Sequence, residues 1–481
     1  MTHRNTDVIV IGNGAIGLFL ATELAVSQEC TVTLIGPSGR PGAASKAAGA
    51  MLGCFGEVTK DTLASPAAQA KFELSLTAHR RWPSVLTKLE TLAQRRGEKL
   101  RAVEGTFVLL NAVGGQLDSL NFEAMLQALD DYSEPWAPAQ ASDIRAYQPR
   151  TSARALRIVH LPAEGAVDSN QVLSLMEEAA REAGVSIVDG QVEEILTSAG
   201  RATGVRLTDG SEMSAGTIVG AAGAHTGRLA QPVLPRHELM PMFAGSGTAL
   251  VGRRMKGGAF NAVVRSPNRS GSCGLHLVPL GNGLEYLGAT NILFEEPQFE
   301  GYLAMARFLA ECAMEQLDEN IALHNMVQWR NGNRPVTLDG FPLIGWTSLA
   351  GLYLLTGTYR DGFHCAPVLA EHAASEILGK GGTIKHPFSP GRDPIRTWTP
   401  QESIAEYALH MSAGWFEAQA KAPAEVSSNT LNDLFRAQGS TVYQVLSGDY
   451  GLGPDIMMYL TGPHADRNRL SAIYRYLRAR S

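Results

Sequence analysis

The chain has few of the residues that build disulfide or metal frames. Its five cysteines, Cys30, Cys54, Cys273, Cys312 and Cys365, are scattered and form no C-x-x-C pair. That spacing excludes zinc ribbons and thioredoxin-like redox motifs, and it suits reduced thiols in a cytoplasmic protein. The histidines are equally dispersed, with no H-E-x-x-H or similar spacing, so no metal site is expected. Positive charge is not in excess: 41 Lys and Arg stand against 47 Asp and Glu, and the net charge of −6 argues against a nucleic-acid partner. No apolar run reaches transmembrane length without charge or glycine breaks, so no membrane span is expected. The apolar stretch from Val8 resembles a signal core, but Gly12, Asn13 and Gly14 interrupt it and no strong basic cluster precedes it. What remains, 44% hydrophobic and 18% charged among 481 residues, is a globular composition with room for two or three domains.

The most informative stretch is Asp7 to Met51. It opens with Val8 to Ile11, a β-branched run of strand length. Gly12, Gly14 and Gly17 follow in G-x-G-x-x-G spacing, then a helical run from Ala15 to Ala25 and a second strand-like run from Cys30 to Ile35. In that context one glycine permits the tight turn and another lets backbone approach a pyrophosphate. The third lets helix and strand pack closely, and the helix N-terminus offers N–H groups to the anion. A dinucleotide site is therefore expected, with an ordinary β-turn-α unit as the alternative. After Ile35 come Gly36 and Pro37, where such units usually carry an acid for a ribose hydroxyl. The absence weakens an NAD reading and leaves Ser38 or backbone groups to substitute. Gly42 to Gly53, GAASKAAGAMLG, is small and suits backbone lying close to a flat ligand, though a plain loop would read the same way.

Pro66 to Arg95 reads as helical, with Phe72, Leu76, His79 and Trp82 at core spacing, and Pro83 is expected to kink or divide it. His79 is read as packed. Strand Gly105 to Leu110 and helix Leu117 to Asp130 follow. Asp168 or Ser169 caps a helix from Gln171 to Ala183. Strand Val185 to Val188 leads to a meander of Val192–Thr197, Gly204–Leu207 and Ser211–Ser214, then to a buried strand in Thr217 to Gly223. That order could rejoin the first sheet. Alternating runs fill Met240 to Leu293, with a hairpin of Gly274–Leu280 and Glu285–Ala289. Next come a helix from Tyr302 to Leu317, strands at Val327–Arg334 and Leu352–Thr356, and a helix from Ala366 to Leu378. Prolines cluster between His386 and Pro400, and helices fill the tail to Ser481. The last is basic and amphipathic, read first as packed on its own domain and otherwise as a homo-oligomer or partner contact.

Six segments, GNGAIG (12–17), SKAAGAML (45–52), AAGAHTG (221–227), GNRP (332–335), DGFPLIG (339–345) and GTYRDGFHCAP (357–367), occur in an order that resembles the FAD-dependent D-amino-acid oxidase family, closest to its glycine oxidase branch. The resemblance covers about residues 5 to 385. It implies an α/β two-domain fold: a Rossmann-type FAD-binding domain of the p-hydroxybenzoate-hydroxylase and glutathione-reductase type, and an antiparallel-sheet substrate domain. A helical C-terminal extension would follow. The expected boundaries are 1–60, 156–235 and 335–385 for the FAD domain, 61–155 and 236–334 for the substrate domain, and 386–481 for the extension.

By the same resemblance, Gly12, Gly14, Ala15, Ile16 and Gly17 serve the pyrophosphate. Ala44, Ser45, Gly49, Ala50 and Met51 lie along the ribityl chain and isoalloxazine, and Val192 meets the adenine. Arg360, Asp361, Gly362, Phe363 and His364 face the flavin's pyrimidine end, and Pro37 and Gly223 complete the cofactor set. Arg334 and Arg360 match the arginines that hold a substrate carboxylate; with His276 and Met51 they make the expected reacting face. His276 stands where glycine oxidases carry a tyrosine and Asn291 where they carry a methionine, so a more polar pocket is expected; His276 reads equally as a packed strand residue. The implied activity oxidises the C–N bond of a small amino acid or amine by hydride transfer to flavin N5. Imine hydrolysis follows, and reoxidation by dioxygen gives hydrogen peroxide. The alternatives are a dehydrogenase using another acceptor, or a biosynthetic oxidase of a larger or carrier-bound substrate.

Overall fold

In the computed structural model the strand Asn5–Ile11 lies inside an eight-stranded sheet. The order runs 343–346, 352–356, 212–220, 5–11, 32–35, 186–188, and the central pairings are parallel. Alternation along Val8-Ile-Val-Ile sends successive side chains to opposite faces. Val8 and Val10 join a core under the helix Ala15–Val26, and Ile9 and Ile11 join the core on the other face. A sheet buried on both sides needs such an uninterrupted apolar strand. The structure describes residues 5–271, 274–288, 290–418, 420, 423, 425–446 and 448–480; Cys273, and Ala289 at the end of the expected hairpin, lie outside them.

The second sheet is ten-stranded and mainly antiparallel, in the order 292–294, 242–253, 284–288, 276–281, 263–265, 102–111, 155–167, 51–52. The long strand Asn325–Thr337 pairs with Met242–Arg253 along its length. Strand 51–52, and all of strand 155–167 but its first residue, fall within the segments expected in the FAD domain, yet both pair in this second sheet. The chain therefore passes between the sheets near those residues.

Three local expectations change. The helix Pro66–Arg95 runs unbroken through Pro83, because buried Phe72, Leu76, Trp82, Val85 and Leu89 hold it on both sides of the proline. The expected pair of strands at 211–214 and 217–223 is one strand, Glu212–Gly220. Its first half pairs with Arg201–Leu207 and its second half lies between 5–11 and 352–356, so one strand serves meander and parallel sheet. Asp168, not Ser169, caps the helix Ser169–Glu182.

The tail forms the helices Pro400–Glu417, Ser428–Tyr443, Pro454–Thr461 and Arg467–Arg480. Their buried Tyr407, Phe435, Met457 and Ile473 share one core with Phe243, Leu293 and Val336 of the second sheet. The basic last helix packs on its own chain. Arg469 lies 4.5 Å over the Phe243 ring, and Arg480 donates to the His237 and Glu238 carbonyls at 3.0 Å. Among the described residues no helix is long and apolar enough to cross a membrane.

The first tail helix ends on a buried charge cluster. Arg269 bonds to Asp118 and lies 3.7 Å from Glu417. Because Asp118 already neutralises the guanidinium, burial dominates at Glu417 and pushes its carboxyl up to about 7. Ionisation is therefore unfavourable in the folded protein. The stability linked to this group is full below its ordinary value of 4.5 and is lost as pH rises through about 7. Glu417→Gln should be nearly neutral at pH ~4.5 and more stable than wild type by on the order of 2 kcal/mol at pH ~8. Urea unfolding at the two pH values checks this, and an equal difference at both would count against it.

Candidate active site

The parallel strands end at a cleft that runs from the first glycine turn to the second sheet. It encloses about 1950 Å³ of free space, open solvent included. Gly12 has φ +114°, and a Cβ there would stand 2.4 Å from the Ala221 carbonyl oxygen. Its N–H donates to the Ile35 carbonyl at 2.8 Å, which ties the turn to the second strand. Gly14 caps the following helix without a side-chain bond, and the Ala15 N–H donates to Ser45 Oγ at 3.0 Å. Gly12, Gly14, Ala15 and Ile16 line the cleft. Gly17 does not. A Cβ there would fall 1.8 Å from the Gly12 carbonyl oxygen, so Gly17 backs the turn by letting the helix approach it.

Pro37 and Val192 line the cleft beside the second strand. Next to that strand end the Ser38 N–H donates to Asp189 Oδ1 at 2.7 Å. Arg40 also lines the cleft; it donates to the Asn13 carbonyl at 2.7 Å and pairs with Glu177. Neither role was visible in the sequence, because Asp189 and Glu177 lie far along the chain.

Ala44, Ser45, Gly49, Ala50 and Met51 form one wall. Tyr286 donates to the Ala47 carbonyl at 2.9 Å, and its ring stacks on His276 with centroids 5.7 Å apart. A Cβ on Gly49 would stand 2.8 Å from the Tyr286 ring and 3.1 Å from His276 Nε2. His276 is thus both a buried strand residue and part of the cleft lining. Burial, then Arg265, lowers its pKa to about 3. Nδ1 lies 3.2 Å from the Gly274 carbonyl, which can only accept, so Nδ1 carries the proton and Nε2 keeps a lone pair.

Gly223 and residues 360–364 line the opposite side. The helix Pro66–Arg95 pins that second turn. Trp82 donates to the His364 carbonyl at 2.7 Å and stacks on Phe363, His364 Nε2 donates to the Ser75 carbonyl at 2.8 Å, and Lys71 lies 3.3 Å from Asp361. Burial lowers the His364 pKa to about 4, so this histidine is neutral too.

Arg334 and Arg360 reach the same cleft from different elements. Arg334, on the strand Asn325–Thr337, donates to the Thr290 carbonyl at 3.0 Å and to Asn291 Oδ1 at 3.2 Å. Gly247 gives it room, since a Cβ there would stand 2.3 Å from Nη1. Arg360 lies over the Tyr359 ring at 4.8 Å and 3.7 Å from Asp455. Tyr359 has φ +53°, donates to Asp455 and accepts from Asn291 Nδ2 at 2.7 Å. Burial first, then Asp455, pushes the phenol pKa far up, so Tyr359 stays protonated. The sequence reading missed Tyr286, Tyr359 and Asp455. Tyr359 stood inside the quoted GTYRDGF segment, so its adjacency to Arg360 was an available signal.

This arrangement of a glycine turn on a parallel sheet, continued by a cleft against an antiparallel sheet, defines a flavin-type oxidoreductase. A family model described as DAO, FAD dependent oxidoreductase, matches residues 7–376. The chain belongs to this family. It is 27% identical to the bifunctional protein ThiO/ThiG of Synechocystis sp. over 396 residues, which are 81% of this chain and 54% of the relative, so the chain spans about half the length of that curated protein. Its fold is similar to that of glycine oxidase from Geobacillus kaustophilus, at 23% identity and TM-score 0.68, over 82% of this chain and 100% of the other. It is also similar to iminodiacetate oxidase from Chelativorans sp. BNC1, at 19% identity and TM-score 0.65, over 80% and 100%.

The residues present fit FAD, the family's cofactor. The Gly12 turn and the uncapped helix start suit a pyrophosphate, and the wall at Gly49 leaves room for no side chain. Gly12→Ala should fold yet lose FAD, with affinity down at least ~100-fold, because the strained φ and the Ala221 contact both oppose a Cβ. Flavin absorbance after desalting measures this, and wild-type FAD content in the variant would refute the placement.

Proposed function

We propose that this enzyme oxidises the C–N bond of a small amino acid or amine bearing a carboxylate, with dioxygen as the final acceptor. The observation that carries this reading is Arg334, which lines the cleft that begins at the Gly12 turn and bonds there to the neutral Thr290 carbonyl and Asn291 amide. A guanidinium fork matches a carboxylate, and a fixed carboxylate leaves the adjacent Cα–H little freedom. The names of the similar proteins, glycine oxidase and iminodiacetate oxidase, describe enzymes of amines that bear carboxylates and so support the same class.

In this reading the FAD domain is assembled from 1–60, 156–235 and 335–385, except that the strands 51–52 and 155–167 belong to the second sheet, and the substrate domain from 61–155 and 236–334. The two glycine turns hold the cofactor, with Gly12, Gly14, Ala15 and Ile16 at the pyrophosphate and residues 360–364 at the ring edge. When bound, FAD supplies the two-electron acceptor for a hydride from Cα, and dioxygen regenerates it with release of hydrogen peroxide. The protein's own contribution is orientation and electrostatics. Arg334 holds the carboxylate, and the positive charge of the guanidinium favours a neutral amine over an ammonium. His276 is neutral at working pH and its Nε2 can only accept, so it serves to hold an amine N–H and not to donate a proton. Tyr286 and Met51 close the wall beside it.

Anaerobic mixing of the yellow holoenzyme with small amino acids and N-methyl amino acids tests the reading. A member of the panel should bleach the flavin, and air should restore the colour with peroxide. With that substrate Arg334→Ala should raise KM on the order of 100-fold and change kcat less. An unchanged KM would remove the carboxylate from the assignment. A flavin that bleaches and then persists reduced in air would move the enzyme to a dehydrogenase class.

A further inference from the structure

The family match ends at residue 376, but the cleft's polar network does not. Asp455 sits in the first turn of the tail helix Pro454–Thr461. Its side chain is 15% exposed, takes the Tyr359 hydroxyl bond, and lies 3.7 Å from the Arg360 guanidinium. The helix is not loosely placed. Ile456 and Met457 are buried in one core with Phe243, Leu293 and Val336, and Val336 belongs to the strand that carries Arg334. One turn further along the same helix the Tyr459 hydroxyl donates to Glu295 at 2.8 Å, and a Cβ on Gly271 would stand 3.2 Å from Asp455 Oδ1.

Arg334 and Arg360 are therefore electrically unequal. Arg360 faces a built-in carboxylate. Arg334 faces the neutral Thr290 carbonyl and Asn291 amide, and among the described residues no carboxylate lies within 4.0 Å of it. Two guanidinium forks would ordinarily draw two carboxylates, or both oxygens of one from either side. Here one positive charge is already offset, and a carboxylate brought to Arg360 would meet Asp455 as a like charge.

The geometry points to Asp455 as a specificity-determining residue supplied by the C-terminal extension. By neutralising Arg360 it leaves Arg334 as the anion site of this pair, so this end of the cleft selects substrates with one carboxylate and rejects dicarboxylates. This rests on the carboxylate reading above. It makes the extension part of substrate recognition and not an appendage. Asp455 acts through Tyr359 and Arg360, which line the cleft; it is a positioning residue and not a catalytic one.

The test uses the full-length holoenzyme and flavin absorbance titrations with acetate and with succinate. Wild type should bind acetate at least several-fold more tightly than succinate. Asp455→Asn keeps the shape and an acceptor for the Tyr359 hydroxyl while removing the charge. It should tighten succinate binding roughly tenfold and change acetate less than about threefold. Asp455→Glu should retain the wild-type preference, since the charge is kept. A merely structural Asp455 would instead weaken both ligands together in the Asn variant, and that result, or no change in either, would overturn this inference alone. Failure of both acetate and succinate to perturb wild type would overturn the carboxylate reading and this inference with it.

Discussion

The site depends on one close approach: a helix pressed against a glycine turn. The Gly17 Cα lies where any Cβ would collide with the Gly12 carbonyl, and Gly12 itself lies against the Ala221–Ala222 backbone. With side chains at those places the helix Ala15–Val26 would stand off from the sheet. The ends of the strands 5–11 and 212–220 would then separate from the wall at 44–51. The bond from Ala15 N–H to Ser45 Oγ shows how directly that wall is hung from the turn. The eight-stranded sheet supplies rigidity behind it, since its central strands are buried on both faces.

A second constraint comes from the polar network at the other end of the cleft. Arg334, Asn291, Tyr359, Asp455 and Arg360 form a continuous chain of hydrogen bonds and charge contacts across four separate regions of sequence. Each member is partly or fully buried, so each needs its partners. The left-handed backbone at Tyr359 is held by that chain, with its hydroxyl bonded at once to Asn291 and Asp455. The extension therefore does two things with one packing surface. It covers the apolar side of the second sheet, and it brings a carboxylate to an arginine of the cleft.

Much of the architecture was legible because it is written in local chemistry. Val8 to Ile11, the three glycines and the helix after them could be read from periodicity and turn requirements alone. The strand Leu352–Thr356 and the helix beginning at Ala366 were legible for the same reason. Where reading failed, a distant partner decided the outcome. Pro83 does not break its helix because packing on both sides outweighs one lost backbone bond. The strand Glu212–Gly220 is continuous because two different neighbours claim its two halves. The strands 51–52 and 155–167 join the second sheet because their pairing partners lie there.

The same division holds at the cleft. By itself the sequence determined the glycine turns, which rest on residue type at fixed spacing; the flavin family entered through the resemblance of its ordered motifs, and with it Arg334 and Arg360 as candidates. Only the tertiary structure decided what surrounds those arginines. Residues 334, 360 and 455 are far apart in the chain, and no spacing rule relates them. Their distances follow from how the extension packs on the second sheet, and the balance of charge at Arg360 follows from those distances because electrostatic interaction falls with separation and not with sequence.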